Sequence, residues 1–349
     1  MICTNHRQVT RLLALLAIAV GILGAAVVAM SPPTAAAPVS AANSQPGRNQ
    51  VTFISAGEKL VGDLYLPENY QSGQRLPAVV IVGPWLNIKE QVAANYARRL
   101  AAKGFATLAF DFRHWGESGG EPREYESPKD KVADIRSALA FLKDRPEIDS
   151  ERIGILGVCF GVGYVAEASD DPLVKSVATV AAWVHNRASV EKMFGKEEVE
   201  RRLRVGSEAK TAYARDKSVI YVPAYSDTNR EAAMFFPGDG FYYNTKAGRG
   251  AIPQWTNRYA VLGWEEWINY DGVANGAKVS KPLLCVHSDN SALPENLRRF
   301  YALASGPKEL VWLEGEHTQF YDTTPYIDRA ADAVASHFTR TLKAESRNK

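Results

Sequence analysis

Short apolar runs alternate with amphipathic stretches along most of the chain after residue 50. The runs are rich in β-branched residues, which is typical of strands that are covered on both faces of a sheet. Between them, apolar residues recur three and four positions apart, as on one face of a helix. This alternation predicts βαβ units and a mainly parallel sheet. The predicted buried strands are residues 77–83, 105–110, 153–158, 176–183, 283–287 and 310–313.

Two further strand-like runs, Val51–Ile54 and Leu60–Leu66, begin the folded part of the chain. Only a short polar stretch separates them, so they are predicted to form a hairpin. The hairpin would add antiparallel strands at one edge, for a total of about eight strands. Helices are predicted at about 89–102, after Ser127 (an N-cap followed by proline), after residue 160, at 294–304 and at 326–342.

The interval from about residue 185 to residue 277 has a different pattern. A charged helical pattern runs from Lys192 to Lys217, and a segment rich in large aromatic residues follows. Most of these aromatics are expected to form a small core of the insertion itself. The alternative is that some line a pocket, because an insertion after the sixth strand lies above the strand ends where such sheets bind ligands. The aromatic residues are Phe235, Phe236, Tyr242, Tyr243, Trp255, Tyr259, Trp264, Trp267 and Tyr270.

The N-terminal segment has the layout of a secretory signal. Arg7 and Arg11 precede the apolar stretch Leu12–Met30, and small residues follow with possible cleavage after Ala37 or Ala41. The apolar stretch is also about long enough to cross a bilayer, so an uncleaved membrane anchor is the alternative. Either interpretation places the rest of the chain outside the cytoplasm, as a periplasmic or secreted protein. Contact with a membrane is expected only if this segment is not cleaved.

These patterns predict a single folded unit with one large insertion. The predicted division is a signal peptide or anchor at 1–41, a linker at 42–50, a core at 51–184 and 278–345, and a cap insertion at 185–277.

Composition narrows the possible ligands. The 349 residues are 46% hydrophobic and 23% charged, which is ordinary for a globular protein. A net charge of +2 and the lack of a basic block give no indication of nucleic-acid binding, so small molecules are the expected ligands. No zinc pattern, phosphate-binding loop or dinucleotide fingerprint is present in the sequence, and therefore no cofactor is expected.

The strand at 153–158 ends in a glycine-bracketed cysteine, Gly157-Val158-Cys159-Phe160-Gly161. Gly-x-nucleophile-x-Gly is the pattern of a nucleophile elbow, a strained strand-to-helix turn that admits only small residues on either side. A thiol there would lie at a helix N-terminus, which favours thiolate. The alternative is a buried structural cysteine beside a tight turn. Cys285 lies inside an apolar strand and is expected to be a core residue rather than a disulfide partner of Cys159.

A cysteine nucleophile needs a base, and usually a third group that orients the base. In the chain order of this elbow fold, the acid follows a late strand and the histidine follows the last one. His317, after the strand at 310–313, fits this order better than His114, His185 or His287, for which structural roles are expected. Asp289, just after the strand at 283–287, is the preferred acid; Asn290 and Asp322 are the alternatives.

An oxyanion hole requires two backbone N–H groups near the nucleophile. One comes from the residue after the nucleophile, Phe160. The other comes from the loop after the third strand, where Pro84 has no N–H to offer. Trp85 is the preferred donor in that loop, with Leu86 as the alternative.

Several linked motifs together resemble the dienelactone-hydrolase-like branch of the α/β-hydrolases, and within it a bacterial and fungal group labelled polyketide transferases or thiohydrolases. The similarity runs from about residue 51 to the final helix, and the insertion is its least recognisable part. Dienelactone hydrolases are more compact and often cytoplasmic, so the large insertion and the export signal depart from that pattern. The motifs are Gly83-Pro84-Trp85, Asp111-Phe112-Arg113-His114-Trp115-Gly116-Glu117-Ser118, Gly157-Val158-Cys159-Phe160-Gly161, Gly315-Glu316-His317 and Phe320-Tyr321-Asp322.

The resemblance implies an α/β-hydrolase fold and a Cys-His-Asp triad of Cys159, His317 and Asp289. It also implies hydrolysis of a small-molecule ester, lactone or thioester through an acyl-enzyme. Acyl transfer from the same intermediate is the first alternative, and peptide hydrolysis is a lesser one because related folds cleave peptides. A non-catalytic binding protein on the same scaffold is the alternative of another class.

Overall fold

The central element of the fold is an eight-stranded sheet. The computed structural model describes residues 44–236, 241 and 249–343. Six strands run parallel to one another. The first two strands form a hairpin, and the second strand of that hairpin pairs antiparallel with the fourth strand, at the edge of the parallel set. The order in space is β1-β2-β4-β3-β5-β6-β7-β8. The strands are β1 (Gly47–Ser55), β2 (Glu58–Leu66), β3 (Leu76–Val82), β4 (Ala106–Phe110), β5 (Ile148–Val158), β6 (Val174–Val180), β7 (Leu283–His287) and β8 (Lys308–Trp312).

Helices cover both faces of this sheet, as the fully buried sequences of its inner strands require. The part of the chain that the structure describes contains the α-helices α1 (Val92–Ala101), α2 (Pro128–Lys143), α3 (Gly161–Ala168), α4 (Arg187–Phe194), α5 (Lys196–Asp216), α6 (Trp264–Asn269), α7 (Pro294–Leu303), α8 (Gln319–Asp322) and α9 (Tyr326–Thr341). The Ser127 hydroxyl caps α2 by accepting a hydrogen bond from the Asp130 N–H at 3.3 Å. The predicted alternation of strands and helices is therefore confirmed.

The opening hairpin is longer than the sequence pattern indicates. Its two-residue turn has positive φ angles at Ala56 and Gly57, as tight hairpin turns require. Strand β1 begins at Gly47, which lies opposite Leu66, so the prediction that residues 42–50 form a linker is wrong from Gly47 onwards. Residues 47–50 are polar because they lie in an edge strand whose outer side faces solvent.

Cys285 is a core residue, as predicted. It lies in the middle of β7 and is fully buried, and burial raises the pKa of its thiol to about 12. Cys159 and Cys285 are not joined by a disulfide.

The insertion between β6 and β7 contains helices, turns and very short strands. The charged helical pattern at 192–217 corresponds to α5 and the end of α4, which are separated at Gly195 by a backbone with φ of +84°. Trp264 and Trp267 are buried, as expected for a small core of the insertion. Tyr242 and Tyr243 lie outside the described residues.

The predicted signal peptide or anchor at residues 1–41 also lies outside the described part of the chain. Across residues 44–236, 241 and 249–343, no helix combines the length and the apolar character that a membrane crossing needs.

Candidate active site

Cys159 lies on a strained turn between β5 and α3. Its φ angle is +57°, a left-handed conformation that is unusual for a residue with a side chain. A Cβ atom at Gly157 would come within 2.6 Å of Val165, and one at Gly161 would come within 2.6 Å of the Gly83 carbonyl oxygen. Only glycine therefore fits on either side, which gives the turn the geometry of a nucleophile elbow.

His317 faces the thiol from the loop after β8. Its Nε2 lies 3.3 Å from the Sγ of Cys159. The rings of Trp183 and Tyr321 pack edge-on against the imidazole, with centroids 6.0 and 5.4 Å away. Burial, with a smaller contribution from the nearby His287, lowers the pKa of His317 to about 3. The imidazole is therefore neutral at physiological pH.

The other ring nitrogen of His317 contacts the loop after β7. Its Nδ1 lies 2.8 Å from the Ser291 Oγ and 3.2 Å from the Ala292 nitrogen. A backbone N–H can only donate, whereas a hydroxyl can either donate or accept. The Ala292 N–H donates to Nδ1, so in this arrangement Nδ1 is the unprotonated nitrogen and the ring proton lies on Nε2. A proton on Nδ1, which would leave a lone pair on Nε2 for the thiol, has the Ser291 Oγ as its acceptor.

The structure does not bring Asp289 to the imidazole. The Asp289 side chain is largely exposed and forms an ion pair with Arg298 at 3.0 Å. After β7 the chain turns so that Ser291 and Ala292, rather than Asp289, face His317. Sequence reasoning missed Ser291, since a serine in a loop of polar residues carries no signal for this role.

Asn290 and Asp322, the alternatives to Asp289 as the group that orients His317, lie in different surroundings. Asn290 lines the cavity beside Cys159. The Asp322 carboxylate forms a two-pronged ion pair with Arg249, at 2.6 and 2.9 Å. That pair links α8 to the aromatic segment of the insertion.

The remaining candidate histidines have structural contacts. His114 lies 3.4 Å from the Asp130 carboxylate. His185 is buried, and its Nε2–H donates to the Trp267 carbonyl at 2.8 Å. The Nδ1 of His287 accepts a hydrogen bond from the Ala182 N–H at 3.2 Å. These contacts agree with the structural roles expected for them.

An apolar cavity of about 290 Å³ opens beside the sulfur. Phe160 and Trp85, the predicted oxyanion donors, both line it. The insertion contributes part of the wall, including Phe236 and Trp267, as the pocket interpretation of its aromatics requires. No described residue in the lining is an acid, a lysine or an arginine. The lining residues are Pro84, Trp85, Cys159, Phe160, Trp183, Phe194, Ala233, Met234, Phe236, Trp267, Asn290, Ser291, Ala292, His317, Thr318 and Tyr321.

Sequence relatives include proteins with and without an assigned activity. The chain is 33% identical over 304 residues to the uncharacterized protein PA2218 of Pseudomonas aeruginosa, covering 84% of this chain and 80% of the relative. It is 24% identical over 274 residues to the polyketide transferase claH of Penicillium crustosum, covering 76% and 88% of the two chains.

Solved structures share the fold. The crystal structure of the hypothetical protein PA2218 matches with a TM-score of 0.73 and 32% identity over 84% of this chain and 93% of that one. The α/β hydrolase GrgF from Penicillium sp. sh18 matches with a TM-score of 0.71 and 20% identity over 84% and 99%. These matches confirm the α/β-hydrolase fold.

A family model covers most of the core and the cap. The model of the X-Pro dipeptidyl-peptidase (S15) family matches residues 56–319, from the opening hairpin to just beyond His317. The chain therefore belongs to the X-Pro dipeptidyl-peptidase (S15) family.

Proposed function

We propose that the protein hydrolyses ester, lactone or thioester bonds of small molecules through an acyl-enzyme on Cys159. The observation that carries the proposal is the 3.3 Å contact between the Cys159 Sγ and the His317 Nε2 at the wall of an apolar cavity. A thiol and an imidazole at this distance are a nucleophile and its base. A non-catalytic binding protein would not require a strained turn that holds the thiol and the imidazole together.

The proposed chemistry has two stages. His317, in the tautomer with its ring proton on Nδ1, takes the thiol proton at Nε2, and the Cys159 sulfur attacks the acyl carbon. The Phe160 and Trp85 N–H groups stabilise the resulting oxyanion. His317 then returns the proton to the leaving group, which leaves a thioester on Cys159, and water hydrolyses that thioester with His317 as the base.

We assign the orientation of His317 to Ser291 rather than to Asp289. When Nε2 takes the thiol proton, Nδ1 also carries one and needs an acceptor. The Ser291 hydroxyl lies in contact with Nδ1, whereas the Asp289 carboxylate is paired with Arg298. Ser291 is therefore a positioning residue in this proposal, and the predicted triad is replaced by Cys159, His317 and Ser291.

The cavity favours a neutral, apolar acyl group over the amino terminus of a dipeptide. A bound peptide ammonium needs a carboxylate partner, because burying an unpaired charge is costly. The lining between Pro84 and Tyr321 offers sulfur, aromatic, hydroxyl and amide groups, and none of its described members is an acid. Dipeptidyl-peptidase activity, which the family name describes, is therefore not the function proposed for this chain.

Acyl transfer is the second candidate function. It is supported by the relative named polyketide transferase and by the apolar cavity wall, which limits the access of water to the acyl-enzyme. Product analysis with and without added alcohols and amines separates transfer from hydrolysis. A product that carries the acceptor in preference to water would identify the protein as a transferase.

Intact-mass detection of acyl adducts tests the proposal directly. We expect the protein to gain the mass of one acyl group after brief exposure to ester and thioester substrates, and the Cys159→Ala variant to gain none. The Cys285→Ala variant is the matched control, because Cys285 is buried in β7 and should not be acylated. Turnover that persists undiminished in Cys159→Ala would refute the assignment.

Export is also part of the proposal, because residues 1–41 carry the pattern of a signal. N-terminal sequencing of the protein from the cell envelope or medium tests it. A new terminus after Ala37 or Ala41 is expected for a cleaved signal, and an intact Met1 in the membrane fraction would identify an anchor.

A further inference from the structure

The loop between β3 and α1 contains a buried lysine. Lys89 is 1% exposed, although lysine is rarely buried without a partner. Its Nζ lies 2.9 Å from the Asp111 carboxylate and also contacts Glu90 and Glu117. Burial lowers the pKa of Lys89, but these carboxylates outweigh it, so the pKa is raised overall and the side chain is charged.

Asp111 holds both the side chain and the backbone of this loop. Its Oδ1 accepts a hydrogen bond from the Lys89 N–H at 2.8 Å, and its Oδ2 accepts from the Lys89 Nζ and from the Glu117 N–H at 3.0 Å. The turn after β4 wraps closely around the carboxylate, since a Cβ at Gly116 would lie 2.3 Å from Oδ2. The end of β4 thus fixes the conformation of the loop after β3.

The same loop carries Trp85, the proposed oxyanion donor. The Trp85 ring is stacked on Trp267 at 4.2 Å, and the next residue, Leu86, has a φ of +61°. The Leu86 carbonyl accepts a hydrogen bond from the Trp255 indole N–H at 2.8 Å. The backbone at Trp85 is therefore held by the insertion on one side and, through Lys89, by Asp111 on the other.

We infer that Lys89 and Asp111 are positioning residues that aim the Trp85 N–H at the oxyanion formed on Cys159. This inference rests on the proposed function, because an oxyanion forms only if Cys159 attacks an acyl carbon. A buried ion pair is weak evidence for stability, since desolvation offsets much of its attraction. It is a precise restraint on a loop, however, when both the side chain and the main chain of the lysine are bound by one carboxylate.

The arrangement of the carboxylates fits an internal ammonium. Oxygens of Glu90, Asp111 and Glu117 lie within 4.8 Å of one another, a spacing that could also suit a metal ion. The Lys89 Nζ lies among them and is hydrogen-bonded to all three. The lysine itself thus supplies the positive charge that this acidic cluster requires.

Two reactions of the same thiol separate this role from a general effect on the fold. Acylation of Cys159 passes through an oxyanion, whereas alkylation by iodoacetamide displaces iodide from a carbon and forms none. For Lys89→Met we expect acylation to slow by roughly 10- to 100-fold with little change in KM, and alkylation to stay within about twofold of the parent rate. Equal slowing of both reactions would overturn the inference.

Lys131→Met is the matched control. Lys131 is also buried and pairs with a buried carboxylate, Glu126, at 2.8 Å, but neither residue belongs to the loop after β3. We expect its loss to affect stability while leaving the ratio of acylation to alkylation unchanged. The same change of that ratio in Lys131→Met would show that loss of any buried ion pair has this effect, and would refute a specific role for Lys89.

A milder variant covers the case in which Lys89→Met does not fold. Asp111→Asn keeps an oxygen that can accept from the Lys89 N–H but removes the carboxylate charge that pairs with the Lys89 Nζ, so it should lower acylation selectively in the same way. Unchanged acylation in Asp111→Asn, with a soluble and folded protein, would count against the inference. If the parent protein itself forms no acyl adduct with any ester or thioester, the proposed function has failed, which is a separate outcome.

Discussion

The Nε2 of His317 lies 3.3 Å from the Sγ of Cys159, although 158 positions separate the two residues in the sequence. The elbow after β5 presents the thiol, and the loop after β8 presents the imidazole at the same edge of the sheet. Parallel strands make this meeting possible, because their carboxyl ends lie at one edge. The thiol and the imidazole therefore meet at the wall of one cavity, where a substrate could reach both.

Replacement of His317 by glutamine should remove the base. We expect kcat/KM for a short activated ester to fall by about 10²- to 10⁴-fold, the usual contribution of a positioned base. His114→Gln is the control, because His114 contacts Asp130 and does not line the cavity. Steady-state hydrolysis measures both variants. An activity of His317→Gln similar to that of the His114 variant would contradict the assignment of the base.

Ser291 and Asp289 can be distinguished by a matched pair of variants. Ser291→Ala should lower kcat/KM by roughly 5- to 30-fold, the effect of losing one hydrogen bond of about 1 to 2 kcal/mol. Asp289→Asn should stay within about twofold, because its ion pair with Arg298 is solvent-exposed. The pH midpoint of the Cys159 alkylation rate provides a second measurement. This midpoint should shift in Ser291→Ala and stay unchanged in Asp289→Asn. The opposite order of effects would restore Asp289 as the orienting acid.

The acyl group should be uncharged. Hexanoyl and 6-aminohexanoyl thioesters have similar length, but the second carries an ammonium at the end of its chain. We expect kcat/KM for the charged thioester to be lower by about 100-fold or more, since the cavity offers no carboxylate among its described lining residues. Equal rates, or release of nitroaniline from an X-Pro nitroanilide, would contradict this prediction.

Stability should fall in mild acid because of buried neutral histidines. Burial lowers the pKa of His185 to about 4, against an ordinary value of 6.5. The unfolded chain therefore binds this proton more strongly than the folded protein. The stabilisation is complete above pH 6.5 and is lost as the pH falls towards 4, at a cost of about 3 kcal/mol for His185 alone.

Urea unfolding at pH 7 and pH 4 measures this effect. His185→Gln does not titrate and can still donate to the Trp267 carbonyl, so it should lose about 3 kcal/mol less than the parent protein between the two pH values. An identical loss in both proteins would show that His185 does not contribute to the acid sensitivity.

The elbow should not tolerate a methyl group at Gly161. A Cβ there would lie 2.6 Å from the carbonyl oxygens of Val82 and Gly83, so Gly161→Ala should destabilise the protein by about 1 to 3 kcal/mol and displace Cys159. Gly83→Ala is the control, because the nearest atoms to its Cβ would be 3.7 Å away. Urea unfolding and the rate of Cys159 alkylation check both variants. Equal stability of the two would disagree with the packing at the elbow.

Local pattern was enough to predict the strands, most helices and the turn that presents Cys159. These features depend on the period of apolar residues and on glycine spacing, which are properties of neighbouring residues. In the elbow fold the catalytic histidine follows the last strand, and this order was enough to select His317 from the four histidines near strand ends. The sequence did not indicate that β1 begins at Gly47, because polar residues in an edge strand resemble a linker.

Only the tertiary structure decided which groups face the imidazole and which hold the loop at Trp85. Ser291 rather than Asp289 contacts His317 because of the path of the chain after β7, and that path depends on packing against the loop after β8. Lys89 is buried because β4 brings Asp111 beside it, which no local pattern of residues 83–91 specifies. Hydrogen bonds between distant segments require the folded backbone, and these contacts determine the chemistry around the predicted nucleophile.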